Sequence, residues 1–336
     1  MRRDRTAPAG PVHRLTIESD ALADNRLGDP VARDVDVWLP PGHDGGGLPL
    51  LVDLAGFTNS GLGHTAWKNF GETLPERLDR LTHAGTLPPV VVAFPDCFTR
   101  LGGNQYVNSP AMGRWEDFLA DDLTAAVEAR FRCGGTGRRG LFGKSSGGYG
   151  ALVNAIRRPD AWAAAACLSG DCAFELCYGP ELPVALRGLA RHGGSTEAFL
   201  AAFETANRRG GEEITTLMML AMAASYDPDP KAPFGAVLPV DPYTCEILPE
   251  RWAAWRAWDP LHLAARHPGA LAGLRGLWIE CGERDEYNLL YGARRLHRRL
   301  EDHGVAHEYR EFPDGHLGID YRLDEVLPWL AGRLAG

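Results

Sequence analysis

The order of apolar and polar residues changes character twice along the chain, and those changes outline its elements. Arg14-Leu15-Thr16-Ile17-Glu18 and Val31-Ala32-Arg33-Asp34-Val35-Asp36-Val37-Trp38-Leu39 alternate at period two, and the second run ends in Pro40-Pro41-Gly42. Such alternation leaves one face of a strand wet, so these two runs are expected to be antiparallel strands at a sheet edge. From Leu48 the pattern becomes continuous. The runs 48–55 and 90–94 are apolar almost throughout, as parallel strands covered on both faces should be. The pattern between them predicts a helix over 67–81. Apolar residues at 115, 118, 119, 123, 126, 127 and 131 keep close to a helical period, and Gly134-Gly135 ends the run. A short strand reaching Lys144, a helix, and a strand over 162–168 follow. Strand and helix thus alternate, which predicts an α/β chain with a mostly parallel sheet and helices on both faces.

After Asp171 the alternation stops. Residues 172–250 hold scattered helical stretches (196–207 and 213–224) and the proline-rich Asp227-Pro228-Asp229-Pro230. A segment this long is no ordinary connection and is expected to form a cap or lid inserted on the sheet. Trp252, Trp255 and Trp258 recur every three residues on one side of a helix. They either anchor the cap to the core or line a pocket, and burial is the commoner use of large aromatics. The main pattern then resumes with strand 276–281, helix 288–302, strand 307–312 and a last helix over 321–334. The whole chain, 1–336, reads as a single domain that contains the insertion.

Composition narrows the partners. With 35 basic and 44 acidic side chains the net charge is −9, which argues against nucleic acid. The basic start, Met1 to Pro8, has no apolar run behind it, so it reads as a frayed arm and not as a signal peptide or membrane anchor. Seven cysteines include no C-x-x-C pair and no zinc-like spacing, so no metal is expected and a reducing cytoplasm is the simplest location. Nothing in the pattern decides whether the chain forms a homo-oligomer.

The chemistry centres on Leu141-Phe142-Gly143-Lys144-Ser145-Ser146-Gly147-Gly148, where an apolar run ends in G-x-S-x-G and continues as a helix. This is the form of a nucleophile elbow, in which the serine sits at a tight strand-to-helix corner and small neighbours let the two elements approach. Ser145 is the candidate nucleophile; Ser146 lies off the motif's centre. A serine needs a base, and the base needs an orienting group. Strand 276–281 runs into Gly282-Glu283-Arg284-Asp285-Glu286, and strand 307–312 runs into Pro313-Asp314-Gly315-His316. Both segments follow strand ends on the side of the sheet that carries the elbow. Asp285 is the expected acid, with Glu283 and Glu286 as alternatives, and His316 is the expected base. His64 precedes the serine, out of order for this role, and is placed instead in the pocket lining. The amides of Ser146 and of Phe57, after Gly56, are expected to form an oxyanion hole.

With these residues the sequence resembles the putative-esterase (esterase D-like) branch of the α/β-hydrolases, which includes S-formylglutathione hydrolases, feruloyl esterases, siderophore esterases and mycolyltransferases. The resemblance runs over most of the chain. It is carried by Val37-Trp38-Leu39-Pro40-Pro41-Gly42, Leu54-Ala55-Gly56-Phe57, the elbow, Gly282-Glu283-Arg284-Asp285 and Gly315-His316. It implies an α/β-hydrolase fold and gives Ser145, Asp285 and His316 the triad positions and Phe57 and Ser146 the oxyanion positions. The segment Gly103-Asn104-Gln105-Tyr106-Val107-Asn108-Ser109 is similar to a family loop beside the site, which implies that Gln105 and Tyr106 contact substrate. Asn59 stands where S-formylglutathione hydrolases look to have a cysteine. The expected activity is hydrolysis of small to medium carboxylic esters through an acyl-enzyme, without a cofactor. Acyl transfer by the same triad and a non-catalytic binding protein on this fold are the alternatives.

Overall fold

The strands of the main sheet are β1 (Val12–Glu18), β2 (Ala32–Trp38), β3 (Leu50–Leu54), β4 (Val91–Pro95), β5 (Arg139–Lys144), β6 (Ala164–Leu168), β7 (Gly276–Gly282) and β8 (Glu308–Phe312), and Asn108–Ser109 pairs with Gly113–Arg114 in a separate short ribbon. The structure, a computed structural model, describes residues 7–335, so most of the basic arm at the start lies outside the described residues. The eight strands form one sheet in the order β1-β2-β4-β3-β5-β6-β7-β8. Strand β2 runs antiparallel to β1 and β4, and every other pair is parallel.

The continuous apolar runs are explained by cores on both faces. Val52, Ala93, Leu141, Ala165 and Ile279 belong to one buried cluster, while their neighbours Leu51, Val92, Phe142, Ala166 and Trp278 belong to the other. The main flanking helices are α1 (Leu74–His83), α2 (Ser146–Arg157), α3 (Gly211–Tyr226), α4 (Pro249–Arg256), α5 (Leu289–Asp302) and α6 (Leu323–Leu334). Helices α2 and α5, with the helical stretch 115–131, cover the first face; α1 and α6 cover the second. A fully buried side chain such as Phe142 contributes roughly 1.5–3 kcal/mol relative to exposure.

The helix expected over 67–81 begins only at Leu74. Thr73 caps it: its hydroxyl accepts the Glu76 N–H at 3.2 Å, and the Glu76 carboxylate accepts the Thr73 N–H at 2.8 Å. Pro75 fits this first turn but would break a helix that had started earlier, since its ring would meet the preceding turn. Residues 67–73 are irregular, and Trp67 and Phe70 are exposed.

Between β6 and β7 the chain departs from the sheet and forms helices, with α3 at the centre. The last ten residues of α3 are nearly all buried, and it is apolar around most of its circumference, as suits a helix enclosed on all sides. Trp255 is fully buried against Tyr178 and Tyr226, with ring centroids 6.0 and 5.6 Å away. Trp252 and Trp258 are half-buried around it, and none of the three reaches the cavity described below, so the stripe is an anchor. All seven cysteines are free thiols, Cys172 and Cys177 included. Among the described residues no helix is long and apolar enough to cross a membrane.

Candidate active site

Ser145 sits between the end of β5 and the start of α2 with φ 84° and ψ −117°. A non-glycine residue rarely adopts such angles, and the strain costs of order 1–3 kcal/mol, which the surrounding structure must sustain. Two contacts hold it: the Ser145 N–H donates to Leu168 O at 3.0 Å, and Ser145 O accepts the Tyr149 N–H at 2.8 Å. The flanking glycines are required by close approach, because a Cβ at Gly143 or Gly147 would collide with the Leu54 carbonyl of β3. The corner therefore lifts the hydroxyl clear of the sheet.

His316 reaches it from the loop after β8. Its Nε2 lies 3.0 Å from Ser145 Oγ, and its Nδ1 lies 2.8 Å from Asp285 Oδ2. Asp285 follows β7 and is buried; its other oxygen accepts the Tyr287 N–H at 3.0 Å. Of the neighbouring acids, Glu283 is exposed, whereas Glu286 accepts the His316 backbone N–H at 2.8 Å and so fixes the loop. That bond also holds the Glu286 carboxyl below its usual pKa. The Tyr287 ring stands edge-on to the imidazole at 4.9 Å. The arrangement can pass a proton from the serine to an imidazole whose orientation and positive charge the carboxylate supports.

The serine opens into a cavity of about 500 Å³. Phe57, Ser146 and His64 line it, together with Lys144 and Asp171. The amides of Phe57 and Ser146 donate to no other group among the described residues, which leaves them available to an oxyanion. Ile214 and Met218 of α3 supply part of an apolar roof with Tyr178. Among the described residues no group of three or more metal-ligating side chains is gathered.

Gln105 and Tyr106 are not brought to the cavity. Both are buried behind the elbow, where the Tyr106 hydroxyl donates to Ala55 O at 2.5 Å, at the base of the Gly56-Phe57 turn. Gln105 belongs to a closed ring of hydrogen bonds. Its Nε2 donates to Ser146 Oγ at 2.8 Å; Ser146 donates to Asp171 Oδ2 at 3.4 Å; Asp171 accepts the Tyr178 hydroxyl at 2.8 Å; Tyr178 and Tyr226 hydroxyls are 3.2 Å apart; and Tyr226 donates to Gln105 Oε1 at 3.1 Å. Burial raises the Asp171 pKa to about 6, against the lowering effect of Tyr178. Sequence reasoning passed over Asp171, although it too follows a strand end, that of β6.

The sheet order, the strained serine corner and the strand-end partners together define an α/β-hydrolase. The family profile described as "Putative esterase" matches residues 29–324, and the chain belongs to that family. It is a carboxylic ester hydrolase. No curated protein sequence matches it significantly. Among solved structures, a ferulic acid esterase is similar over 97% of this chain and 98% of its own, with TM-score 0.61 and 16% identity. The fluorophosphonate-binding serine hydrolase F of Staphylococcus aureus is similar over 96% and 99%, with TM-score 0.59 and 14% identity. An S-formylglutathione hydrolase from Agrobacterium tumefaciens is similar over 98% of each chain, with TM-score 0.59 and 17% identity. At these identities the likeness is one of fold.

Proposed function

We propose that this chain is a serine carboxylesterase for small to medium esters. The observation that carries the reading is His316 bridging Ser145 Oγ and Asp285 at the mouth of a cavity bordered by two available amides. Ser145 Oγ attacks the ester carbonyl while His316 Nε2 takes its proton, and the amides of Phe57 and Ser146 receive the oxyanion. Collapse expels the alcohol, which takes the proton back from His316. Water, deprotonated by the same imidazole, then releases the carboxylic acid and restores the serine. No cofactor enters these steps. Seven free thiols, six of them buried, fit a reducing compartment such as the cytoplasm.

The test is turnover of short 4-nitrophenyl esters. Ser145→Ala should reduce kcat by about 10⁶, as loss of a triad serine does. Ser146→Ala keeps its backbone N–H and should retain most of the activity. A Ser145→Ala protein with wild-type turnover would overturn the reading. Acyl transfer that outran hydrolysis on adding acceptor alcohols would favour a transferase instead.

A further inference from the structure

Besides its apolar roof, the cavity has a charged lining that includes Asp53, His64, Lys68, Arg77, Lys144 and Asp320. Three of the four cations that line it are paired, Arg77 with Asp324. His64 Nδ1 bonds Asp53 Oδ2; burial works against a charge on His64, but the Asp53 carboxylate outweighs it and raises its pKa. Lys68 Nζ lies 3.0 Å from Asp320 Oδ2. Burial raises the Asp320 pKa, yet Lys68 above all, with His64 and Lys144 behind it, more than offsets this and holds it below the usual range. His64, Lys68 and Lys144 thus line one region of the cavity together with Asp320.

Lys144 differs from the other three. It precedes the nucleophile in the chain, and its Nζ donates to the His316 carbonyl at 3.2 Å. No carboxylate lies within ion-pair distance of it among the described residues. Its side chain is half-buried, and burial lowers its pKa. Asp320, Asp285 and Glu286 attract it only from beyond that distance and do not outweigh the burial, so a ligand anion in direct contact with Nζ would offset the remaining cost.

We propose that Lys144 is a specificity residue that binds a carboxylate on the substrate, so that the preferred esters are anionic. The inference rests on Ser145 being the nucleophile, since Lys144 acts beside it. One unpaired positive charge suits a singly charged carboxylate better than a dianionic phosphate. A flexible lysine also places a point charge, without the paired donors with which arginine grips larger planar anions.

The experiment compares esters of similar shape with and without a carboxylate, on either side of the scissile bond. Mono-4-nitrophenyl glutarate is set against 4-nitrophenyl pentanoate, and 4-carboxyphenyl acetate against 4-methylphenyl acetate. Each ratio of kcat/KM is measured in the wild type and in Lys144→Gln, which keeps a donor for the His316 carbonyl but carries no charge. In one of the two pairs the anionic preference should fall about tenfold in the variant, as loss of a charged hydrogen bond implies. Unchanged ratios in both pairs would overturn the proposal while leaving the esterase reading intact. Binding is measured separately in the Ser145→Ala background, where no turnover is needed. There monomethyl glutarate, a singly charged ester, should raise the Tm, and adding Lys144→Gln should abolish the effect. Failure of monomethyl glutarate to bind overturns the proposal whatever the esters show, and tighter binding of inorganic phosphate overturns the carboxylate assignment.

Discussion

Asp285 and Glu286 are adjacent and both touch His316, yet they do different work. Asp285 faces the imidazole, whereas Glu286 holds the backbone amide. Replacing Asp285 with Asn removes the charge that supports the imidazolium and reverses the hydrogen bond that sets its tautomer. Asp285→Asn should therefore lower kcat by about 10⁴. Glu286→Gln still offers an oxygen to the amide and should cost far less. Steady-state kinetics on one nitrophenyl ester decides between them, and a larger loss in Glu286→Gln would reassign the acid. The residues that meet at Ser145 were legible because each obeys a local rule: a serine between glycines, or a polar side chain just after a strand. Gln105 and Tyr106 were misplaced because how deeply a loop packs depends on partners far away in sequence. Lys144 stood beside the serine in the motif, but only the fold reveals that it lacks a carboxylate partner.

At the scale of elements, the hydrogen-bond ring joins the elbow helix α2, the loop after β6, the loop bearing Gln105 and the cap helix α3. It ties the cap to Ser146, whose amide is proposed to receive the oxyanion. Ser146→Ala should thus cost about 1–3 kcal/mol of stability by leaving buried partners unmet, before it costs chemistry. The ring also makes stability depend on pH. The folded Asp171 pKa, about 6, lies above the ordinary 3.8, so the stabilising contribution of its neutral form is complete below 3.8 and is lost as pH rises through about 6. Asp171→Asn accepts the same hydroxyl bonds without ionising. Between about pH 4 and pH 7 the wild type should lose on the order of 3 kcal/mol relative to this variant in denaturant titrations. Parallel pH dependence in the two proteins would contradict this. No sequence pattern announces such a ring, since its members come from separated segments. The start of α1 was announced, by Thr73, Pro75 and Glu76, and the apolar periodicity that extends past those signals masked it.

For the whole molecule, the alternation of strands and helices was legible because both faces of the sheet are buried, which makes the parallel strands continuously apolar. How the insertion packs was not, since its helices are held by tertiary contacts such as Trp255 against Tyr226. Ile214 and Met218 place α3 over the cavity as a roof. Each acyl methylene that fits should add about 0.8 kcal/mol of burial, and each that overpacks should cost about 1–3 kcal/mol. On nitrophenyl esters of increasing length, kcat/KM should climb over the first few carbons and then fall steeply. A maximum at the longest chains would mean an open cleft. The most direct test of the account is to quench the protein during its first turnover of a 4-nitrophenyl ester and locate the acyl group by peptide mass. The expected result is a stoichiometric nitrophenol burst, with the acyl group on Ser145 and no adduct in Ser145→Ala. An adduct on any other residue, or a burst that survives in Ser145→Ala, would contradict the assignment.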